Sequence, residues 1–174
     1  TVVLSSQHAP DQSETPTKLK ASFYIPGWTV ENHRAPSLRI RDAGHEVGAH
    51  GNVHEAVSFL DATQEEEIMR QQLAILKSGL GVTPAGYRSP SWDVNTWTPG
   101  ILKRHGFLYD SSLMGNDVPY EVPSEEGPLI ELPIQWLLDD APLFRHVYGS
   151  TNAIADPGRV LQMWSKEFAA MHAE

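Results

Sequence analysis

Three histidines, His45, His50 and His54, fall within the segment "AGHEVGAHGNVHEA" (residues 43 to 56) of a chain that has eight histidines in all. Imidazole is a common ligand for divalent metals, and two imidazoles at i and i+4 can reach one ion if the backbone turns between them. Gly48, Gly51 and Asn52 permit such a turn and discourage a regular helix. A catalytic divalent site also needs a third protein ligand, commonly a carboxylate, with a position left for water. Taken alone, the pair leaves a plainer description open, that of imidazoles that are solvated or hydrogen-bonded in a core. His45, at the start of a strand, is expected to be structural.

A second group lies in "GYRSPSWDVN", where Arg88, Pro90 and Trp92 occupy alternate positions and would point the same way from an extended chain. A guanidinium can clamp a carboxylate and an indole can wall a sugar-sized pocket, although a surface ion pair beside a core tryptophan fits the same pattern. Asp110, in "FLYDSS", could bond a loop, support a histidine or cap the next turn, and Asp139 and Asp140 beside Pro142 have the composition of a turn. Other chemistries are excluded by their missing parts. "GLGVTPAG" lacks the glycine spacing and the lysine of a phosphate loop, no serine sits in a G-x-S-x-G elbow, and cysteine is absent, so a metal must be held by histidine and carboxylate.

The elements that must position these residues alternate. Residues 19 to 25, "LKASFYI", read as a strand ending at Pro26-Gly27, and residues 35 to 43 as a short helix with Pro36 in its first turn and Gly44 as its stop. "HEVGAH" is the next strand. Thr63 and Glu66 form a capping-box pattern ahead of a helix in which Met69, Leu73, Leu76 and Leu80 recur at helical spacing. Strands at "AGYRS", "FLYDS" and "LIELPI" come next, with a helix over about residues 97 to 105 stopped by Gly106. Asp156-Pro157 opens a last helix whose Val160, Trp164, Phe168 and Met171 share a face. Strands alternating with helices predict parallel pairing in an α/β fold, and in such folds polar chemistry gathers where the strands end in loops. His50 and His54, Arg88 and Trp92, Asp110 and Ser111, and Asp139 and Asp140 each come after a strand, which predicts one polar mouth.

Bulk properties agree. A chain of 174 residues with 40% hydrophobic composition suits one ordinary domain. A formal net charge of −9, without a Lys/Arg cluster, argues against nucleic acid or anionic membrane as partner. No apolar run is long enough to span a bilayer, and the first residues, "TVVLSSQHAPDQSETPT", lack the pattern of a signal peptide, which slightly favours the cytoplasm but leaves the compartment, and a processed form, open.

Taken together, "KASFYIPGW", "AGHEVGAHGNVHE", "YRSPSWDVN", "HGFLYDSSLMGND", "IELPIQWLLDDAP" and "EFAAMH" resemble, in order, the polysaccharide deacetylase (NodB-homology) family, in its branch of peptidoglycan-deacetylase-like and allantoinase-like enzymes. The resemblance implies an α/β fold, a distorted and partly open (β/α) barrel over residues 18 to 174, behind an irregular segment 1 to 17. It implies a divalent metal, zinc first, held by His50 and His54, with Arg88 and Asp110 in supporting catalytic roles and Pro90, Trp92 and Ser111 against the substrate. The implied reaction is hydrolysis of a carbon–nitrogen amide bond, most simply N-deacetylation of a carbohydrate. Two alternatives are hydrolysis of a small cyclic amide and a degenerate module that binds carbohydrate without hydrolysis. The family's first motif, an aspartate pair that supplies a ligand and the base, has no counterpart before Lys18, where Asp11 and His8 are the only candidates; its late histidine has none after "EFAAMH". The expectation is therefore a barrel that can be incomplete at both ends, with Asp139, Asp140 and His146 as possible substitutes and homo-oligomerisation as one way to cover free strand edges.

Overall fold

The computed structural model describes residues 19–145 and 154–173. The segment 1 to 17, with His8 and Asp11, and the later His146 lie outside the described residues. Four strands and their connecting helices form the frame: β1 (Ser22–Ile25), α1 (Gly27–Asn32), α2 (Arg34–Asp42), β2 (Glu46–Ala49), α3 (Ala62–Leu80), β3 (Gly86–Tyr87), α4 (Thr98–Arg104) and β4 (Tyr109–Asp110). Then come β5 (Tyr120–Val122), β6 (Leu129–Glu131), the short α5 (Ala141–Phe144) and α6 (Pro157–Ala173). The sheet order is β1-β2-β3-β4-β6-β5, parallel throughout except for the antiparallel β5–β6 pair. Among the described residues the sheet does not close.

Local sequence accounts for most of this. Alternation in β1 and β2 sends Ile25, Val47 and Ala49 into a core shared with Met69, Leu76 and Leu80 of α3, Ile101 and Leu102 of α4, and Leu129 of β6. Each large aliphatic side chain buried there contributes roughly 1.5–3 kcal/mol. The opposite sheet face is crowded by two tyrosines that lie across glycines: a Cβ on Gly48 would collide with the Tyr24 ring, and one on Gly86 with Tyr109. Only glycine admits rings that close to the backbone.

Three expectations shift. The capping box belongs to Asp61 and Gln64 rather than Thr63 and Glu66: Asp61 accepts from Gln64 N at 2.9 Å and its own N–H donates to Gln64 Oε1 at 3.0 Å. The chain is still extended at Asp61 (φ −83°, ψ 171°), so Thr63 already lies inside the first turn and its hydroxyl is not the cap. The last helix begins as expected, with Asp156 Oδ1 accepting from Arg159 N at 2.9 Å, but of its apolar face Val160 is buried while Phe168 and Met171 are exposed, at 70% and 42%. Strand β5 and the short helices α1 and α5 are additions, each too short to show a period. In β5, "YEV" stands between Pro119 and Pro123 and is a strand only because β6 offers its edge.

Candidate active-site cleft

His50 leaves the end of β2 buried, 6% exposed, and its Nδ1 donates to the carbonyl of Arg88, the residue after β3, at 2.7 Å. A carbonyl can only accept, so Nδ1 carries the hydrogen and the lone pair sits on Nε2. Burial lowers the His50 pKa from 6.5 to about 4, against which the Arg88 carbonyl works in the opposite direction. The ring is therefore neutral near pH 7, as a metal ligand must be. His54 stands beside it, ring centroids 5.0 Å apart and planes at 79°, on an exposed loop.

The loop between the two histidines is pinned from both sides. Glu55 accepts from Asn52 N and Val53 N, each at 2.9 Å, while Gly27 N and Trp28 N at the start of α1 donate to Gly51 O and Asn52 O at 3.1 and 2.8 Å. Gly51 (φ +68°) makes the turn without steric conflict; His54 adopts φ +63° in spite of its Cβ.

A cleft of about 500 Å³ is lined by His50, His54, Arg88, Ser91, Trp92, Trp136, Asp139, Asp140, Pro142 and Arg145. Trp92 and Trp136 meet edge to face, centroids 5.0 Å apart, and form an apolar wall. Arg88 is immobilised: Nε donates to Ser111 O at 2.8 Å, Nη2 to Ser111 Oγ at 2.6 Å, and the guanidinium lies 4.5 Å from the Tyr24 ring centroid. Among the described residues, the non-glycine positions with positive φ are His54, Ser91 and Trp92, and all three line this cleft. Such backbone persists only where the surroundings enforce it, and it concentrates at functional sites.

Residues 88 to 92 are not extended, contrary to the alternation of their sequence. Pro90–Trp92 is a 3-10 turn, with Ser91 at φ +56° and Trp92 at φ +60°, so the side chains do not alternate. Pro90 is buried in the turn itself and Ser111, 4% exposed, accepts from the Arg88 side chain; neither is among the residues that line the cleft. Asp110, 3% exposed, is also outside the cleft, with Oδ1 accepting from Ser111 N at 2.8 Å and Ser112 Oγ at 2.6 Å. Asp139 and Asp140 do line it, while also making the expected turn: Asp139 Oδ1 accepts from Ala141 N at 2.7 Å and Asp140 O from Leu143 N at 3.1 Å. His45 is structural in contact, its Nδ1 accepting from Ala21 N at 3.3 Å and its ring tilted against Phe23. Trp136, Ser91 and Arg145 join the cleft without a clear mark in the sequence; Trp136 comes after a strand just as the others do, and that position is its one signal.

The chemistry of the donor set suits a divalent ion of the zinc type: two imidazoles, one of them oriented through its second nitrogen by a carbonyl, at the edge of a polar cleft. Among the described residues no group of three or more His, Cys, Asp or Glu is assembled for such an ion. Nor is any described helix long and apolar enough to cross a membrane.

A family profile for polysaccharide deacetylase matches residues 15–109. Over 182 aligned residues the chain is 34% identical to a peptidoglycan deacetylase of Helicobacter pylori (strain ATCC 700392 / 26695), covering 90% of this chain and 62% of that protein. In three dimensions it resembles a Mycobacterium smegmatis protein assigned to the polysaccharide deacetylases, with a TM-score of 0.83 and 39% identity over 88% of this chain and 54% of the other. Puue allantoinase gives a TM-score of 0.74 at 23% identity over 87% of this chain and 50% of its own, a likeness of fold alone. The chain spans less than two thirds of the length of each of these proteins. The open parallel sheet and these likenesses bear out the expected α/β fold, a distorted and partly open barrel.

Proposed function

We propose that this chain, which belongs to the polysaccharide deacetylase family, carries the metal-binding wall of an amide hydrolase that removes acetyl groups from an N-acetylated carbohydrate. The observation that supports the reading most is the His50–His54 pair, one imidazole kept neutral by burial and oriented by Arg88 O and the other kept at positive φ, both opening on the same cleft. A divalent ion, zinc by the nature of the donors, would be held by His50 and His54 and would polarise an amide carbonyl when bound. The chain's own groups prepare the cleft around it. The Arg88 guanidinium, clamped by Ser111 and Tyr24, presents a fixed positive charge beside the histidines. Trp92 and Trp136 offer the apolar face against which a sugar ring stacks and from which water is displaced. Asp139 and Asp140 balance Arg88 and Arg145 in the cleft lining, a charge set without net sign that suits a neutral glycan.

The test joins elemental analysis to turnover of N-acetylated oligosaccharides and, in parallel, hydantoin-like cyclic amides. Stoichiometric zinc and acetate release are expected, with metal lost in His50→Ala and in His54→Ala and retained in His45→Ala. Equal loss at all three positions would remove the ligand assignment; metal without acetate release would leave a binding site and end the hydrolase reading; turnover of the cyclic amide instead would move the substrate class.

A further inference from the structure

Behind the cleft, the register of the sheet sets two acids side by side. Asp110 of β4 pairs with Glu131 of β6, and both are buried, at 3% and 0% exposure. Glu131 Oε1 accepts two backbone N–H groups, from Ser112 and Leu113, each at 2.9 Å. Its Oε2 is fully buried and has neither an N–H nor a hydroxyl donor. Asp110 commits Oδ1 to Ser111 N and Ser112 Oγ, and Ser112 Oγ in turn accepts from Ser89 N at 2.9 Å. Ser112 ties the two carboxyl groups together, its N–H donating to Glu131 Oε1 and its hydroxyl to Asp110 Oδ1. A buried acceptor with no donor is costly, and so are two adjacent buried negative charges; one proton between them removes both costs.

We infer that Asp110 and Glu131 form a carboxylic acid–carboxylate pair sharing a single proton, and that this pair is the positioning element that fixes the turn 111–113 and, through it, Arg88 and His50. The proton resides mainly on Asp110, because Glu131 has two backbone donors against one for Asp110 and lies in the field of Arg88. Burial, then the Glu131 charge, pushes the Asp110 pKa well above the ordinary carboxyl range, while burial raises Glu131 against the pull of those backbone donors and of Arg88. The other groups facing the pair are Tyr87 of β3 and Tyr120 of β5, both held neutral by burial, and Arg88 at the end of β3. From the pair the chain of bonds is continuous: Glu131 holds the Ser112 and Leu113 amides, Ser111 holds the Arg88 side chain, and the Arg88 carbonyl holds His50. The inference stands whether or not the cleft hydrolyses an amide.

Its test needs no activity. A native pKa raised above the unfolded value makes the contribution of Asp110 complete below the ordinary carboxyl pKa of about 3.9 and progressively lost as pH rises toward the native one. Asp110→Asn keeps the Oδ1 acceptor and supplies an N–H to Glu131 in place of the shared proton, without titrating. Urea unfolding should therefore show the Asp110→Asn variant at least as stable as wild type near neutral pH, with the ratio of unfolding constants widening by about tenfold per pH unit from about pH 4 upward until the native proton is lost. Glu131→Gln should likewise fold, since it retains the acceptor for both amides, but the double variant Asp110→Asn/Glu131→Gln sets two N–H₂ groups against each other and should lose more stability than the two single changes added. Infrared difference spectra between wild type and Asp110→Asn should contain a protonated-carboxyl C=O band at neutral pH. A pH-independent stability difference, additive single changes, or no such band would each overturn the shared proton.

Discussion

The ends of β2 and β4 both carry polar residues just past a short strand, and the two ends are used in opposite ways. At the end of β2 the polar groups line the cleft: His50 is buried at its edge, and His54, at φ +63°, is exposed beside it. At the end of β4 they are closed in: Asp110, Ser111 and Ser112 are all buried and direct their hydrogen bonds to one another, to Glu131 and to Arg88. The difference lies in what covers each end. Both strands have a neighbour on each side, but the end of β4 is covered by the chain after β6, where Leu132 N and Ile134 N donate to Asp110 O and Leu113 O, whereas the loop after β2, tied to the start of α1 and to Arg88, borders the cleft. A polar residue after a strand is thus a candidate for chemistry in one place and a support for it in the other, and substitutions should separate the two.

The largest effect is expected at the closed end. Asp110→Ala leaves Glu131 without its proton partner and Ser111 N and Ser112 Oγ without their acceptor, at a cost of about 3 kcal/mol in urea unfolding. A loss below about 1 kcal/mol, the range of an ordinary solvated hydrogen bond, would mean the closed end is wet and the contrast is not real. An intermediate effect is expected at the link between the ends. Arg88→Lys cannot reproduce two bonds to Ser111 together with the contact to Tyr24, so stability should fall by about 1–2 kcal/mol while any metal at the histidines is retained. The smallest effect, with the opposite sign, is expected at the open end. His54→Gly relieves a left-handed backbone and should raise stability by about 0.5–1 kcal/mol while abolishing metal binding. If His54→Gly is destabilising, the imidazole itself holds the loop, and strain no longer marks the position as functional.

Legibility differs from residue to residue. The strand "EVGA" and the histidines after it are readable because alternation, glycine stops and helix periods act over a few residues. The cap at Asp61 lies two residues from its expected place because Asp-x-x-Gln and Thr-x-x-Glu overlap in one segment, and only backbone dihedrals choose between them. Residues 88 to 92 suggest an extended chain because nothing local announces a left-handed Ser91 next to a left-handed Trp92. Glu131 carries no signal at all: within "LIELPI" it reads as the polar position of an alternating strand, and its place at 0% exposure depends on which strand lies beside it.

The amino-acid order alone determined the alternation of strands and helices, the metal-compatible spacing of His50 and His54, and the exclusion of thiol, serine-elbow and phosphate-loop chemistry, since each of these comes from residue type and short-range geometry. Tertiary structure decided which strand ends open and which close, that Trp136 joins Trp92 in the cleft while Pro90 and Ser111 are buried outside its lining, and that Asp110 pairs with Glu131. Those outcomes turn on β6 lying between β4 and β5, a long-range pairing whose free energy is spread over the whole sheet and leaves no mark in any one segment.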